Sequence, residues 1–572
     1  MRNFRKLCLR FFTLLCILYI QDNGFAQSLN PEIAFLQTDR TAYIAGESIF
    51  YKLYVLDGTT RKFSKISRVG YILIKSTNQN FLLKTIIKID SGKTNGSIVL
   101  PDTLTSGVYE ILAFTNLMKI YGDKAFYHKE IIVVNRFDKS LSFKIITPTL
   151  KKHDTIPTCD SIIQTDKTVY GFREKITVNL NKIKSNANIS ISVFENPPFT
   201  SNNKSIIETI DISKTLNTYM ISDYLPENYG KTLTGSVVDM LNNQKIDKAT
   251  ILLSCPDSIP NLQYAFSDKN GKFHLILNDY YNGKDLFLSI KDVPVNQKWK
   301  IEVEDDFSLP VKWNPTLVIL NPGYKDFFTK SQNIFHINKS YQTNNDSLVY
   351  QNSTLKSIRP QLYNCPAITI RPADYVSLND FHEIVVELLP QLRISKHENK
   401  FKLQIPGLST YITDIQDPVI FLDGVFVDDI NKIIGLGSDK IKKIEIQNVE
   451  RAFGDLVFQG IISITTKSNE ITHTIPTTKS LRIKKFNYNT GESFIFINPN
   501  TLKDSRIPFV KQLLYWNPDL NINALHDHHF EFYSSDNEAT FTINIEGISE
   551  DGTPISASSR IQVSNKQNSK AQ

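Results

Sequence analysis

An internal repeat constrains the fold of this chain more than any other feature of its sequence. Residues 36–43 (LQTDRTAY) return 127 positions later as residues 163–170 (IQTDKTVY). Glu47 returns at the same offset as Glu174. A repeat at this spacing indicates duplicated domains rather than a solenoid of short repeats. The sequence therefore predicts two sandwich domains that share an opening hairpin, and it assigns these residues no ligand.

The rest of the chain carries the pattern of β-strands. Segments such as residues 49–55 (IFYKLYV) and 541–546 (FTINIE) alternate, and clusters of Gly, Asn, Asp and Pro separate them. Helical periodicity is scarce, and the hydrophobic content of 41% is sufficient for packed cores. We therefore expect a mainly β, multi-domain protein of roughly four to five domains.

The first 26 residues predict export. Four basic residues precede about ten apolar ones, and small residues stand at the two positions that a signal peptidase reads. We expect cleavage before Gln27 and no lipid on Cys16, because large leucines precede that cysteine. No later run reaches the roughly 18 to 20 apolar residues of a membrane-spanning helix. The protein is expected to be periplasmic or associated with the outer membrane, with no transmembrane segment in the mature chain.

Charge and cysteine content limit which partners and which disulfides are possible. Part of the formal net charge of +7 lies in the leader, and the remainder is too weak and too evenly spread for a nucleic-acid partner. Beyond the leader the cysteines are Cys159, Cys255 and Cys365, without short spacings. At most one disulfide can form, and whether any pair does stays open.

Two segments carry a family resemblance. Residues 37–52 (QTDRTAYIAGESIFYK) resemble the opening of macroglobulin-type domains, as found in alpha-macroglobulins and in large envelope proteins of Bacteroidetes. Residues 107–116 (GVYEILAFTN) are similar to the end of the same domain. The resemblance implies immunoglobulin-like or macroglobulin-like β-sandwiches at residues 27–138 and 139–228. In the second copy Arg173 stands in place of Gly46, so that turn must differ.

The next segment resembles an accessory module. Three short strands with an Asn-Gly turn, at residues 235–239, 249–253 and 267–273, are similar to the carboxypeptidase-regulatory-like sandwich. The resemblance places this module at residues 229–312 and implies no peptidase activity. Residues 313–375 are predicted to be a connector with one or two strands.

Residues 376–470 resemble the plug domain of TonB-dependent outer-membrane receptors. A helix at residues 381–389 precedes three apolar segments around an Asp-Gly turn, and we predict that Val419–Leu422, residues 441–446 and residues 461–464 are neighbouring strands of one mixed sheet under that helix. About 105 residues follow, too few for a barrel of about 22 strands. Residues 471–572 are similar to the closing sandwich of the same envelope proteins.

Signatures of catalysis are missing from the sequence. The Cys-Gly-Glu-Gln thioester of alpha-macroglobulins is absent, and so are a serine nucleophile elbow and a phosphate loop. The cluster at residues 526–529 (HDHH) has a His-x-x-Glu spacing from His528 to Glu531, which zinc enzymes also use. In a strand, however, residues three apart point to opposite faces. We therefore expect no enzyme, no metal and no cofactor.

These observations favour a non-enzymatic envelope binding or scaffolding protein. We expect it to engage an outer-membrane receptor or an assembly complex, that is, an outer-membrane or periplasmic protein partner, through the plug-like domain and the sandwiches. One alternative is a soluble plug or ligand-capture component of an outer-membrane transport system. A second alternative is a metal-dependent hydrolase at the His526 cluster. The oligomeric state stays open.

The predicted partner site lies in two connections of the plug-like domain. Loops on a rigid scaffold commonly carry recognition, and aromatic or arginine side chains commonly supply its energy. The candidate residues in the connections 423–429 and 448–458 are Asp423, Gly424, Asp428, Asp429, Glu450, Arg451, Phe453 and Phe458. The alternative is that Phe453 and Phe458 fold back onto the sheet.

Overall fold

A computed structural model shows a mainly β protein of several sandwiches, as expected. It describes residues 30–76, 82–138, 162–199, 203–212, 224–294, 297–308, 322–341, 348–350, 362–363, 365–397, 400–406, 417–468, 480–489, 491–494, 496, 498–499 and 506–565. The predicted signal peptide and Cys159 lie outside these residues. Within them, no helix is both long and apolar enough to cross a membrane.

The first sandwich lies within the predicted range 27–138. Its strands are β1 (Glu32–Thr38), β2 (Ala42–Ile44), β3 (Ser48–Asp57), β4 (Val69–Ser76), β5 (Leu82–Lys88), β6 (Lys93–Val99), β7 (Gly107–Phe114) and β8 (Tyr127–Val134). They form one sheet in the order β1-β3-β6 and a second in the order β2-β8-β7-β4-β5. Leu53, Tyr71 and Phe114 lie fully buried between the two sheets.

The repeated residues build a hydrogen-bond network at the entry of this sandwich. The Tyr43 hydroxyl donates to Asp39 Oδ1 at 2.7 Å, and the Phe50 amide donates to the same oxygen at 2.9 Å. Glu47 Oε2 accepts from the Ile44 amide at 2.7 Å. The network ties the opening turn to the next strand, which explains why these residue types recur together.

The second copy repeats this network. Its first four strands are β9 (Ile163–Thr165), β10 (Val169–Tyr170), β11 (Lys175–Leu180) and β12 (Ala187–Glu195). Tyr170 donates to Asp166 Oδ1 at 2.7 Å, and Glu174 Oε2 accepts from the Gly171 amide at 2.6 Å. Arg173, at the position of Gly46, has a φ of 51° and pairs with Asp536 at 2.6 Å. The turn thus keeps its left-handed backbone although the glycine is lost.

Two helices were not expected from the sequence. They are α1 (Ile206–Ile212) and α2 (Pro322–Tyr341). Helix α2 lies in the predicted connector and packs its buried Phe328 against Ile44 and Val134 of the first sandwich. The connector prediction missed this helix because two of the positions on its buried stripe, Ser331 and Asn338, are polar.

The third sandwich occupies the range predicted for the regulatory-like module. It contains β13 (Lys231–Asp239), β14 (Thr250–Ser254), β15 (Gln263–Phe266), β16 (Lys272–Leu277), β17 (Lys284–Lys291) and β18 (Trp299–Val303). Its sheets have the orders β16-β13-β18 and β15-β14-β17-β29, and the last strand, β29 (Ser480–Phe486), comes from much later in the chain.

An α+β unit follows, formed by the described residues between 365 and 468. It contains helix α3 (Phe381–Leu388) and the strands β20 (Ile368–Ile370), β21 (Arg393–His397), β22 (Lys400–Gln404), β23 (Val419–Leu422), β24 (Val425–Phe426), β25 (Ile441–Gln447), β26 (Arg451–Phe453), β27 (Leu456–Phe458) and β28 (Ile461–Thr466). Strand β19 (Leu348–Tyr350) precedes it and pairs with β30 (Glu492–Phe494).

The sheet of this unit confirms the predicted strand neighbours. Its order is β20-β25-β28-β23-β24, with β23 parallel and β25 antiparallel to β28. Phe381 and Ile384 of α3 pack on Ile444 and Ile464 of the sheet, as predicted. The unit begins earlier than residue 376, because β20 pairs with β25.

The last four strands complete the second sandwich. They are β31 (Leu513–Ile522), β32 (His528–Tyr533), β33 (Ala539–Ser549) and β34 (Pro554–Val563). Together with the strands of residues 163–195 they form sheets of order β32-β11-β9 and β10-β34-β33-β12-β31. This order matches the first sandwich strand for strand, with β31 to β34 in the places of β5 to β8.

The prediction of separate sandwiches at residues 139–228 and 471–572 is therefore wrong. Strand β12 pairs with β33 on one side and with β31 on the other, so neither half contains a complete sheet. Residues 196–512 are inserted between the fourth and fifth strands of one domain. The family signature at the end of the chain belongs to the closing half of the repeat.

The first and second sandwiches pack through polar side chains. The Tyr54 hydroxyl donates to Ser190 Oγ at 2.9 Å, and Lys52 Nζ lies 2.8 Å from Asp519 Oδ1. Ser190 also bonds the side chain of Gln37. Buried polar groups cost free energy unless they are paired, so this interface holds the two sandwiches in a specific arrangement.

Candidate functional site

The first predicted connection begins in a buried turn and ends at the exposed Asp429. Asp423 is 3% exposed and accepts from the Thr466 amide at 2.7 Å and from its hydroxyl at 2.8 Å. Gly424 has a φ of +85°, and a Cβ there would lie 2.6 Å from the Asp257 carbonyl oxygen. The Asp-Gly turn thus docks on the third sandwich, and the expectation that it is exposed is wrong.

Asp428 and Asp429 stabilise the turn that follows. Asp428 forms an ion pair with Lys432. Asp429 caps the short helix Ile430–Lys432 by accepting from the Asn431 amide at 2.9 Å. Both carboxylates therefore have local structural partners.

The second predicted connection is a hairpin that also contacts the third sandwich. The rings of Phe453 and Tyr264 lie 5.6 Å apart, and the Asp455 amide donates to the Tyr264 hydroxyl at 2.9 Å. Phe458 is 2% exposed and packs in a cluster with Leu252 of β14 and with the sheet of the α+β unit. Of the two alternatives for these phenylalanines, the structure has the one in which they fold back.

Glu450 and Arg451 are the remaining predicted residues. Both are partly buried, and Glu450 Oε1 and Arg451 Nε have no hydrogen-bond partner among the described residues. The structure brings Asp423, Gly424, Phe453 and Phe458 to the boundary between the α+β unit and the third sandwich, whereas Asp428 and Asp429 bond to residues within the unit. A role of these residues in partner binding stays a prediction.

The His526 cluster does not converge. His528 Nε2 accepts from the Asn523 amide at 2.8 Å, whereas Glu531 on the opposite face of β32 pairs with Lys175 at 2.8 Å. Within the described ranges, no group of three or more His, Cys, Asp or Glu side chains is placed to hold a metal ion. In the same ranges Cys255 is a buried free thiol and Cys365 an exposed one.

A groove of about 510 Å³ lies where three distant segments meet. Its walls are Asn95 of β6 in the first sandwich, the described residues between 491 and 498, and residues within 509–519 and 531–533 of the second sandwich. Its aromatic lining consists of Phe494, Phe496, Phe509, Tyr515, Trp516, Phe532 and Tyr533. Concave sites of this size with an aromatic lining are typical ligand sites.

The rings form two groups on either side of β31. Phe496 lies 5.7 Å from Tyr515, which stacks on Phe530 of β32 at 5.1 Å. On the other side, the edge of Phe494 faces Trp516 at 6.4 Å. Tyr515 and Trp516 are adjacent in a strand, so their side chains point to opposite faces of the sheet. The groove thus presents aromatic surface on both faces of one strand.

The wall at residues 491–498 is fixed by the first and third sandwiches. The chain leaves the third sandwich at the end of β29 and passes along the first. There the Lys88 amide donates to the Asn489 carbonyl at 2.9 Å, and the Asn489 amide donates to the Ile86 carbonyl at 2.9 Å. Asn95 then donates to the Glu492 carbonyl. We refer to residues 486–498 as the crossing segment.

The acidic side chains Asp519, Glu531 and Glu492 at the groove are paired with lysines or buried. Burial favours a raised pKa for Asp519, but the Lys52 and Lys93 ammonium groups outweigh it and hold that pKa well below its ordinary value. Burial lowers the pKa of Lys52 to about 8 despite this pairing. Burial also raises the pKa of Glu492, only partly offset by hydrogen bonds from Ser97. The lining therefore favours apolar, uncharged ligand groups.

Sequence reasoning missed this groove. Its signal is the aromatic pairs at residues 515–516 and 532–533, to which no function was assigned from the sequence. The groove depends on a crossing segment and on a strand pairing that no local pattern encodes.

Comparisons with known proteins add little. No family model matches the chain, and no curated protein matches it. Among solved structures it is similar to alpha-2-macroglobulin from Salmonella, reacted with methylamine, at 8% identity and a TM-score of 0.16, covering 94% of this chain and 24% of that one. Trypsin-activated alpha-2-macroglobulin from Escherichia coli gives 9% identity and a TM-score of 0.23, covering 93% and 41%.

The adhesin InvE of Yersinia pseudotuberculosis is similar at 11% identity and a TM-score of 0.13, covering 47% of this chain and 58% of the adhesin. The chain spans between about a quarter and two fifths of the two alpha-2-macroglobulins. TM-scores of this size do not establish a shared fold.

Proposed function

We propose that this protein is an exported, non-enzymatic binding or scaffolding protein of the bacterial cell envelope, and that the groove is its site for a protein partner. The observation that carries this proposal is the assembly of the groove from the first sandwich, the crossing segment and the second sandwich. Such a site exists only when these parts are folded together, so it favours a role of the whole chain in binding.

The α+β unit has a structural role in this proposal. Its Asp-Gly turn and its hairpin, the connections predicted to face a partner, contact the third sandwich instead. The third sandwich in turn anchors the crossing segment through β29. The α+β unit therefore stabilises the wall of the groove indirectly, through the third sandwich. Glu450 and Arg451 remain candidates for additional contacts with the partner.

Site-specific photocrosslinking in cells tests the proposal. A photoreactive phenylalanine analogue replaces Phe496 in the groove, Arg451 in the hairpin, or Leu525 in an exposed turn as the matched control. We expect a discrete crosslinked envelope protein at position 496 and none at position 525. Crosslinking to a barrel protein from position 451 alone would support the transport alternative instead, and the same products from positions 496 and 525 would contradict the proposed site.

A further inference from the structure

We propose that the groove binds an extended polypeptide segment, which adds as a strand to the outer edge of β31. The inference rests on the proposed function, since it names the kind of partner surface that the groove accepts. Addition of a strand to a sheet edge is a general mode of peptide recognition, in which the backbone supplies affinity and the side chains supply specificity.

Strand β31 has the required free edge. It is the terminal strand of its sheet, and within the described part of the chain its ladder partner is β12. The outward N–H and C=O groups of an edge strand form a template for another extended chain. The groove lies along this edge, next to residues 513–519.

The equivalent edge of the first sandwich already accepts an extended segment. Strand β5 is the counterpart of β31, because both are the terminal fifth strand of the larger sheet. The backbone of Asn489 in the crossing segment bonds β5 on both sides, to the Ile86 carbonyl and to the Lys88 amide, each at 2.9 Å. The duplicated domain therefore shows, within this chain, the pairing that we infer for β31.

The side chains around β31 indicate which sequences fit. Successive residues of an added strand point to opposite faces. One face meets Tyr515 and Phe496, and the other meets Phe494, which packs on the buried Trp516. A segment with large apolar side chains and without charged side chains matches both faces. Charged side chains are not required, because Asp519 and Glu531 at the groove are already paired with lysines.

The length of the pairing is limited by Pro518. Proline has no N–H to donate, and the register of β31 against β12 shifts between Ile189 and Ile191, opposite this residue. Such an irregularity bends the strand away from regular pairing. A second irregularity lies between Val193 and Phe194, whose partners on β31 are Tyr515 and Leu513. The part of β31 in regular register between the two irregularities is therefore Tyr515 to Asn517.

Peptide binding to the full-length mature protein tests the inference. The probe is an end-blocked eight-residue peptide of alternating tyrosine and valine, which presents large side chains on both faces. Its control carries N-methyl groups on alternate amides, which remove the ladder donors of one edge. We expect the probe to slow hydrogen exchange at residues 513–517, and the N-methylated peptide to bind at least about ten-fold more weakly, since each lost bond weakens binding. Equal binding of the two peptides, or no binding of the probe, would overturn the inference.

Variants identify the site. Phe496→Ala is expected to weaken binding of the probe by about five-fold, as the loss of one aromatic contact does. Leu525→Ala removes an apolar side chain that is 87% exposed and should leave binding unchanged. Hydrogen exchange of the unbound Phe496→Ala protein confirms that it is folded. Equal loss of binding in both variants would also overturn the inference.

The two proposals fail separately. A crosslinked partner at position 496 without binding of the probe would leave the proposed function in place and exclude strand addition. Binding of the probe elsewhere, with no protection from hydrogen exchange at residues 513–517, would also exclude strand addition and leave the proposed function in place.

Discussion

Glu546 lies in the interface between the two sandwiches that form the groove. It is 5% exposed and accepts from Ser556 Oγ at 3.1 Å and from the Ile206 amide at 3.2 Å. Burial raises its pKa to about 8 despite the nearby Lys129, and Glu208 adds to the increase. The carboxyl is therefore neutral in the folded protein at pH 6, where an exposed glutamate is charged.

This residue makes the stability dependent on pH. Because its folded pKa lies above the ordinary value of 4.5, the stability it contributes is present below that value and is lost as the pH rises through 8. We expect the melting temperature to fall between pH 5 and pH 8, and Glu546→Gln to reduce this slope. Glu550→Gln, at an exposed position directly after β33, is the control. If the melting temperature of Glu546→Gln fell with pH as steeply as that of the wild type, Glu546 would not be the source of the pH dependence.

The duplicated network offers a matched pair of substitutions. Tyr43→Phe removes a donor from the buried Asp39, whereas Tyr170→Phe removes a donor from the exposed Asp166. A buried carboxylate that loses its partner costs ~1–3 kcal/mol, and an exposed one is satisfied by water. Urea unfolding should therefore show the larger loss for Tyr43→Phe. An equal or larger loss for Tyr170→Phe would mean that burial does not govern this network.

At the scale of elements, the contact between the α+β unit and the third sandwich is the test case. Gly424→Ala places a Cβ 2.6 Å from the Asp257 carbonyl at a φ of +85°, whereas at Gly435 no atom lies within 4 Å of such a Cβ. We expect Gly424→Ala to destabilise the protein by at least ~1 kcal/mol. Exchange at residues 255–257 should rise in this variant and remain unchanged in Gly435→Ala. If Gly424→Ala exchanged amide hydrogens at residues 255–257 at the wild-type rate, the Asp-Gly turn would not be docked on the third sandwich.

Local elements were predictable where their pattern was uniform. The predicted strands of the α+β unit are a continuous apolar run, as in Val419–Leu422, or a segment with regularly spaced isoleucines, as in Ile441–Gln447. Their neighbours followed from the short connections between them. Helix α2 was missed because polar Ser331 and Asn338 interrupt its buried stripe. The hairpin was expected to be free, but its aromatic side chains are buried by Leu252 and Tyr264 of another domain. Burial by a distant partner leaves no mark in the local sequence.

At the scale of the whole molecule, the repeat predicted two sandwiches correctly but not where the second one ends. Strands β9 to β12 and β31 to β34 pair across residues 196–512, a separation that no local signal records. The groove was not predictable for the same reason, since β31 reaches the first sandwich only as part of this interrupted domain. The matched order of the two sandwiches could have been inferred by aligning the halves of the repeat strand by strand.

The most direct test of the interrupted sandwich is disulfide trapping between its two halves. Asn179 on β11 and His529 on β32 are exposed and directly opposite in the antiparallel pair, a separation that a disulfide can span. In a protein whose exposed native cysteines are serine, Asn179→Cys with His529→Cys should oxidise to one intrachain disulfide, identified by peptide mapping. The pair Asn179→Cys with Leu525→Cys serves as the control. Quantitative trapping of the first pair alone is the result that we predict; free thiols in both pairs would show that the halves are separate domains and that the groove between the sandwiches does not form.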